Sequence, residues 1–450
     1  MYFKTIFYCT ILPFFLNPID IFAQEIIKEN NTLTLSLQST MELAEDNSTE
    51  VKSANIELNY NDNLHTLSYF NFGPNISANA NAEWFPQNIQ NFNTGQSNQA
   101  SSAGLKVEQP ITGIWQSFYK IQQYSAQYDA ATFQAEDSKI KARTDGAQAF
   151  IKAQQAFQDM EIKRNDLENA QKQWNDTKIL FESGDESKTK IDVLQMQAKF
   201  TNSEVEFEMA QNLFQNRVSE LKNLLKLNSD VSIQFQSHSQ SQWETYQNKM
   251  PELNILVSEN EKNRSDLKII DKKIISQDNF IKQTNFEYFP KIDAFAAYQR
   301  NNSLESIDIN APEPSNSLNF GLKLSWSIWD GGLSTEKRMS QINEREKLKL
   351  NKTKKEFDIR NEISQAYYNL NSNIQILPKS KLATEALEEA YKLSQIKYKT
   401  GNLTASELIQ VQNSYISAKI SLSKLRGDID FSWIQLQAAI GQLPNANTTG

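Results

Sequence analysis

The chain has 450 residues, of which only 39% are apolar, and it contains 13 glycines and 11 prolines. This profile favours long, solvated helices over compact α/β domains. The formal net charge of −8 argues against a nucleic-acid-binding surface, which needs clustered Lys and Arg side chains. We therefore expect a mainly helical protein that has no nucleic-acid partner.

The first 23 residues predict a secretory signal peptide. Lys4 precedes a largely apolar run from Thr5 to Leu16, and Ala23 is a small residue before the expected cleavage site. A buried N-terminal helix is the alternative. Cys9, the only cysteine, lies in this segment, so the exported chain would carry no disulfide and no cysteine for lipid attachment. No later stretch has the 18 or so uninterrupted apolar residues of a transmembrane helix.

The rest of the chain is an internally duplicated module. Gly104–Val107 recurs as Gly321–Leu324, and Asp192–Gln197 recurs as Glu407–Gln412, at offsets of 217 and 215 residues. Chance matches would not keep so constant an offset. The chain after the signal therefore divides into a first repeat, a second repeat and a polar C-terminal tail, at residues 24–229, 230–441 and 442–450.

Each repeat predicts the same order of elements. An opening helix ends where Pro74 or Pro290 forbids further helix. Two strands follow, and then a long helix and a returning helix. The opening helices are expected at 33–71 and 252–288, and the strands at about 74–85, 101–111, 290–300 and 317–329.

The last predicted strand shows the clearest alternation of apolar with polar or small residues. Such a period-two pattern gives one apolar and one polar face. A sheet packed on a soluble core is the common interpretation. However, the strand is as long as the roughly 9–11 residues that cross a bilayer at a tilt, and the neighbouring helices are too polar to cover it. The side chains expected to face lipid are Leu318, Phe320, Leu322, Leu324, Trp326 and Ile328.

Two unusually long helices are predicted at 117–183 and 334–400. At 1.5 Å per residue, each makes a rod of about 100 Å. Pro378 is expected to bend the second rod. Gly184 and Gly401 end the rods as left-handed caps, and the returning helix then completes a hairpin in each repeat.

Four strands per chain are too few to close a membrane barrel. Open sheet edges leave backbone groups unpaired in lipid at a cost of several kcal/mol each, and the smallest membrane barrels have about eight strands. Two copies of the chain would supply eight strands and three copies twelve. The residues by themselves leave this choice open.

These features resemble the TolC-like outer-membrane efflux protein (outer membrane factor) family over essentially the whole mature chain. The resemblance rests on the strand starts at Pro74 and Pro290, on Leu322–Gly332 with its Trp-Asp-Gly-Gly step, and on Tyr398–Gly401 followed by Glu407–Leu408. It implies a homotrimer with a twelve-stranded β-barrel in the outer membrane and an α-helical tunnel in the periplasm. It also implies two partners, a periplasmic adaptor (membrane fusion) protein and an inner-membrane transporter of the RND, ABC or MFS type.

The implied function is that of a passive exit duct in tripartite efflux or type I secretion. In such a system the pump would choose the cargo, which the sequence does not identify. The rival interpretation is an exported coiled-coil structural or adhesive protein without a pore, although strict heptads are missing.

Neither catalysis nor a cofactor is expected. The two histidines, His65 and His238, are far apart in sequence, and the single cysteine lies in the expected signal. The chain has no phosphate-binding glycine loop, no nucleophile motif and no cluster of metal-ligating residues.

The resemblance also places a gate just beyond the two turns. Its candidates in this chain are Asp192 in the first repeat and Tyr398, Glu407 and Gln410 in the second. The family's prototype has an arginine two residues after the glycine, where this chain has Leu403, which argues against a charge-paired latch. A ring of Glu407 carboxylates would still favour cations. Alternatively, the two acids only stabilise the N-termini of their helices.

The turns at Gly184 and Gly401 are the expected docking points for the adaptor. Relative to the second turn, the first carries an insertion of three residues within Asp185–Lys190. We expect this longer turn to alter the choice of adaptor.

Overall fold

The computed structural model describes residues 32–84, 99–236, 252–303 and 315–446. The expected signal peptide at 1–23 lies outside these residues, and so does His238. Residues 85–98 and 304–314, which connect the two strands of each repeat, also lie outside them.

Within its described residues, the first repeat has three strands and four α-helices. They are β1 (Thr32–Leu35), α1 (Leu37–Asn47), α2 (Thr49–Ser68), β2 (Asn75–Trp84), β3 (Gln99–Pro110), α3 (Ile114–Glu182) and α4 (Lys190–Leu225). The second repeat has the same order: β4 (Ser232–Phe235), α5 (Leu253–Asn260), α6 (Ser265–Asn285), β5 (Lys291–Ser303), β6 (Ser315–Ser325), α7 (Leu333–Lys399) and α8 (Ala405–Ala439). The predicted duplicated module is confirmed.

The prediction of one continuous opening helix in each repeat was wrong. In the first repeat, the backbone of Ser48 is extended, its N–H donates to the Ala44 carbonyl, and its hydroxyl accepts from Val51 N and so starts α2. In the second repeat, the chain is likewise extended at Arg264, between α5 and α6. The opening strands were also missed: β1 and β4 pair in parallel and so join the two repeats.

The four remaining strands form one antiparallel sheet in the order β2-β3-β5-β6. Its register aligns Ala78, Leu105, Tyr298 and Leu318 across all four strands. Because side chains alternate between faces, most apolar positions of the four strands fall on one side of the sheet, whereas Phe295 and Ala297 fall on the other. That side is open to solvent in the protomer, where Phe320 is 81% exposed.

The last strand is shorter than predicted. β6 ends at Ser325, so Trp326 and Ile328 follow the strand and are not part of it. The indole N–H of Trp326 donates to the Tyr288 carbonyl at 3.2 Å, which holds this segment against the start of β5. Both side chains remain exposed, Ile328 by 82%.

The Trp-Asp-Gly-Gly step is the turn from the sheet into the second rod. Gly331 and Gly332 have φ of 71° and 90°, values that residues with a side chain rarely adopt. The Asp330 carboxylate accepts from the N–H groups of Gly332 and Ser334, each at 2.9 Å. This turn therefore ends the extended segment after β6 and leads into α7.

The two rods are helices of 69 and 67 residues, α3 and α7. The second rod runs through Pro378 as one helix. α3 packs along α4 and also along α6 and α8 of the second repeat, whereas α7 packs along α6 and α8. Among the described residues, no helix combines the length and the apolarity that crossing a membrane requires.

Apolar side chains are buried in three clusters along the hairpins. The cluster at β1 and β4 joins both repeats and includes Leu35, Met41, Phe150, Leu221 and Ile434. A second cluster lies between α7 and α8 and includes Ile359, Ile363, Leu370 and Ile429. The third and smallest cluster lies near the turns and includes Met196, Tyr391, Tyr398, Ala405 and Leu408.

Gly146 allows α1 to pack closely on α3. A Cβ at this position would lie 2.5 Å from Ala44 Cβ and 3.2 Å from the Thr40 carbonyl oxygen. We expect Gly146→Ala to lower the thermal unfolding midpoint, because overpacking costs about 1–3 kcal/mol and exceeds the gain in helix propensity of about 1 kcal/mol.

Gly427→Ala is the matched control, measured by circular dichroism of the purified protein. A Cβ at position 427 would lie 2.5 Å from the amide nitrogen of Gln155 and 3.0 Å from Ile151 Cγ2. Both contacts are with the ends of side chains, which can shift, whereas the contacts at Gly146 are with a Cβ and a backbone carbonyl. The expected loss is smaller than at Gly146. An equal or larger loss in the control would contradict the close-packing argument.

Candidate functional site

The two turns that end the rods are built in the same way. Gly184 and Gly401 have φ of 82° and 75°, the left-handed cap that glycine accepts without strain. The N–H after each glycine then closes the turn, from Asp185 to the Leu180 carbonyl at 3.1 Å and from Asn402 to the Lys397 carbonyl at 2.9 Å. The turns lie at the ends of the rods that are distant from the sheet.

Both returning helices begin with a reciprocal capping box. The Thr189 hydroxyl accepts from Asp192 N, and the Asp192 carboxylate accepts from Thr189 N at 2.9 Å. Thr404 and Glu407 make the same pair of bonds, with Glu407 accepting from Thr404 N at 3.0 Å. These bonds lower the pKa of Glu407. Both acids therefore stabilise the first turn of a helix.

Asp192 also connects the two hairpins. Its second carboxylate oxygen accepts from the backbone N–H of Ala405 at 3.3 Å. Burial would raise the pKa of Asp192, but the hydrogen bonds from Thr189 and Ala405 outweigh it, and the pKa is lowered. The carboxylate thus stays ionised between the N-termini of α4 and α8, where negative charge is favoured.

The other two gate candidates have different surroundings. Tyr398 is buried within the protomer, where its hydroxyl lies 3.0 Å from the Thr177 hydroxyl, and burial raises its pKa. It holds the second rod against the first. Gln410 is exposed on α8, as is Glu407, so these two side chains are available to a neighbouring molecule.

A buried polar cluster above the turns was missed by the sequence analysis. Asp166 is 1% exposed and pairs with Lys199 at 2.8 Å. It also accepts from the Ser203 hydroxyl at 3.0 Å and from the Gln412 amide at 2.6 Å. The cluster therefore joins α3 and α4 to α8 of the other hairpin. The sequence spacing contained one indication that Asp166 is buried. Asp166 lies four residues from both Ile162 and Ala170, which are buried on the same face of α3.

The insertion in the first turn is two residues long, not three. Four residues separate Gly184 from the N-cap Thr189, whereas two separate Gly401 from the N-cap Thr404. The capping boxes align Thr189 with Thr404 and Asp192 with Glu407 at an offset of 215 residues, whereas the two glycines are 217 residues apart, so the expected count of three was wrong.

The buried ion pair gives a test of how the hairpins are joined. We expect Lys199→Met to lower the free energy of unfolding by roughly 3–5 kcal/mol, because Asp166 is left as an unpaired buried charge. Adding Asp166→Asn should recover much of this loss, since the neutral amide can still accept from Gln412 through its oxygen and donate to the Ser203 hydroxyl through its nitrogen. Denaturant unfolding of the purified protein measures both variants.

Lys163→Met is the control for this cycle. Lys163 also pairs α3 with α4, through Glu206, but at a more exposed position, and such pairs contribute only about 0–1 kcal/mol. Additive losses in the Asp166 and Lys199 double variant would show that the pair is not coupled.

Residues 256–442 match the model of the family described as outer membrane efflux protein. No curated protein matches the chain by sequence.

Solved structures share the fold along most of the chain. CusC, whose structures describe transmembrane channel formation, has a TM-score of 0.76 at 16% identity and covers 93% of this chain and 96% of its own. The Campylobacter jejuni outer membrane channel CmeC has a TM-score of 0.76 at 14% identity, with 90% and 85% covered. The Neisseria gonorrhoeae outer membrane channel MtrE, in its open state, has a TM-score of 0.72 at 14% identity, with 92% and 91% covered.

At these identities the likeness in structure establishes the fold, and the family match lies within the second repeat. The repeat duplicates the same module, so both halves of the chain share its architecture. Together, these comparisons show that residues 256–442 are similar to the outer membrane efflux protein family and that the chain has the fold of the solved outer membrane channels.

Proposed function

We propose that this protein is the outer-membrane channel of a tripartite efflux or type I secretion system. It acts as a passive exit duct from an inner-membrane pump and a periplasmic adaptor across the outer membrane. The apolar face that runs across all four strands carries the proposal. A stalk without a pore would leave this face in water, where large apolar patches are rare.

The sheet topology favours an assembly of three copies. β2 and β6 stand at the two edges of the sheet, and lipid would leave their outer backbone groups unpaired. Pairing β6 of one copy with β2 of the next closes the wall. Three copies bring twelve strands, which leaves room for a passage, whereas a barrel of about eight strands is filled by side chains.

The rods extend the same wall into the periplasm. Large apolar side chains stay exposed along the rods and the returning helix α4 in the protomer, and a helix in a tube buries such positions against its neighbours. Those positions include Ile179, Met209, Leu350, Phe357, Leu382 and Ile396.

The partners follow from this placement. The turns at Gly184 and Gly401 are the outermost points of the hairpins, and we assign them to the periplasmic adaptor. The inner-membrane transporter, of the RND, ABC or MFS type, selects the cargo. The longer first turn contributes to the choice of adaptor.

The two faces of the sheet give a direct test of the channel. Phe320→Arg places a charge on the apolar face, and Asn319→Arg places the same charge on the opposite face. Arginine at a lipid-facing midplane position costs about 2–4 kcal/mol. We expect Phe320→Arg to reduce heat-modifiable trimers in the outer-membrane fraction and conductance in planar bilayers, whereas Asn319→Arg retains both.

Equal behaviour of the two arginine variants would contradict the assignment of the lipid-facing side. A wild-type protein that is monomeric, soluble without detergent and silent in bilayers would contradict the channel itself.

We propose further that the tunnel narrows at the tips, where Glu407 and Gln410 face neighbouring copies. Asp192 and Tyr398 support this gate from inside the protomer. A ring of Glu407 carboxylates close together would favour the passage of cations.

Charge and capping at Glu407 can be separated by two substitutions. Glu407→Gln keeps an N3 side chain that can complete the capping box but removes the charge, and Glu407→Asp keeps the charge. We expect the reversal potential across a salt gradient to shift towards weaker cation preference in the Gln variant and to stay near wild type in the Asp variant. An unchanged Gln variant would show that Glu407 serves only as a cap.

A further inference from the structure

Lys188 lies in the inserted part of the first turn and is buried against the second hairpin. Its side chain is 4% exposed. The ammonium group donates to the backbone carbonyl of Tyr398 and lies 3.8 Å from the centroid of the Tyr398 ring. One side chain from the first hairpin thus makes a charged hydrogen bond and a cation–π contact with the end of the second rod.

The acceptor is suited to a cation. Tyr398 is the second-last residue of α7, and the carbonyls at a helix C-terminus carry a partial negative charge. Its oxygen also accepts from Gly401 N at 3.2 Å. The corresponding carbonyl of the first rod, Phe181, accepts from Gly184 N at 3.1 Å. The second turn is two residues shorter and has no position equivalent to Lys188.

A second contact fixes the same two turns together. A Cβ at Gly401 would lie 2.8 Å from Ser187 Cβ, so Ser187 packs directly on the glycine. The Asp185 carboxylate accepts from Ser187 N at 2.9 Å, and the Asp185 carbonyl accepts from Lys188 N at 3.1 Å. The inserted turn is therefore shaped by its own bonds before it reaches the second hairpin.

The charges near Lys188 offset only part of the effect of desolvation on its ammonium group. Desolvation lowers the pKa of Lys188, and the nearby carboxylates of Asp192 and Asp185 act in the opposite direction. Neither carboxylate makes a salt bridge with the ammonium group within 4.0 Å in the described part of the chain. The Tyr398 carbonyl and ring are its direct partners.

We propose that the inserted turn is a strap within the protomer, in which Lys188 fastens the tip of the second hairpin to the tip of the first. The two tips then keep one relative position within the protomer. The strap follows from contacts within one chain and does not depend on the proposed channel function.

The test compares Lys188→Met with Lys190→Met. Methionine keeps an unbranched side chain of similar length but removes the ammonium group, and Lys190 is an exposed lysine two residues along the same turn. Spin labels at Lys178→Cys and Ser406→Cys, two exposed positions on different hairpins, report the distance between the tips in a Cys9→Ser background. Labelled chains are diluted with unlabelled ones, so that each assembly reports distances within one protomer.

We expect a narrow distance distribution in the parent protein and in Lys190→Met. In Lys188→Met the distribution should broaden and shift to longer distances. A distribution in Lys188→Met identical to that of the parent would overturn the strap.

Two glycine variants provide an independent measurement by the same labels. Gly401→Ala and Gly184→Ala impose the same left-handed strain, but only the first places a methyl group against Ser187, because Gly184 has no such neighbour within 4 Å. The strap predicts broadening in Gly401→Ala beyond that in Gly184→Ala, and equal distributions would contradict it. Conductance recorded on the same samples separates the two proposals. A parent protein without conductance would contradict the channel, whereas the measured distances would still test the strap.

Discussion

The structure depends on one constraint, the need of backbone groups for hydrogen-bond partners where water is absent. In this four-stranded sheet, the backbone groups of the inner strands are hydrogen-bonded on both sides, but β2 and β6 each have one edge without a neighbouring strand. In lipid these edges are tolerated only when the sheet closes on itself. In the proposed channel the protomer is therefore an incomplete unit, and its rods, turns and hairpin contacts continue a wall that several copies build together.

Along the hairpins towards the tips, the contacts that hold the helices together change from apolar to polar. The large clusters around Phe150 and Ile363 bury aliphatic and aromatic side chains. Towards the tips the hairpins are joined by Asp166 with Lys199, by Tyr398 with Thr177, and by Lys188. Buried polar contacts add little net stability, but they require one specific alignment of partners. The tips therefore have a defined register with a smaller apolar core.

Much of the architecture could be predicted from the sequence because it depends on local rules. The alternation through Leu318 and Leu324 gave the apolar face, and Gly184 and Gly401 gave the ends of the rods, since left-handed caps favour glycine wherever they occur. Trp326 and Ile328 continued the alternation and were wrongly placed in the strand. The turn that ends β6 depends on Asp330 accepting two backbone N–H groups and on Trp326 reaching the Tyr288 carbonyl.

The sequence by itself determined the duplicated order of strands and hairpins, because prolines, glycines and periodicity act on neighbouring residues. Only the tertiary structure decided which polar side chains are buried and what they contact. Asp166 meets Gln412 across 246 positions, and Lys188 meets Tyr398 across 210. A lysine in a polar turn and an acid in a solvated helix look like surface residues until the second hairpin covers them, since burial depends on partners that are distant in the chain.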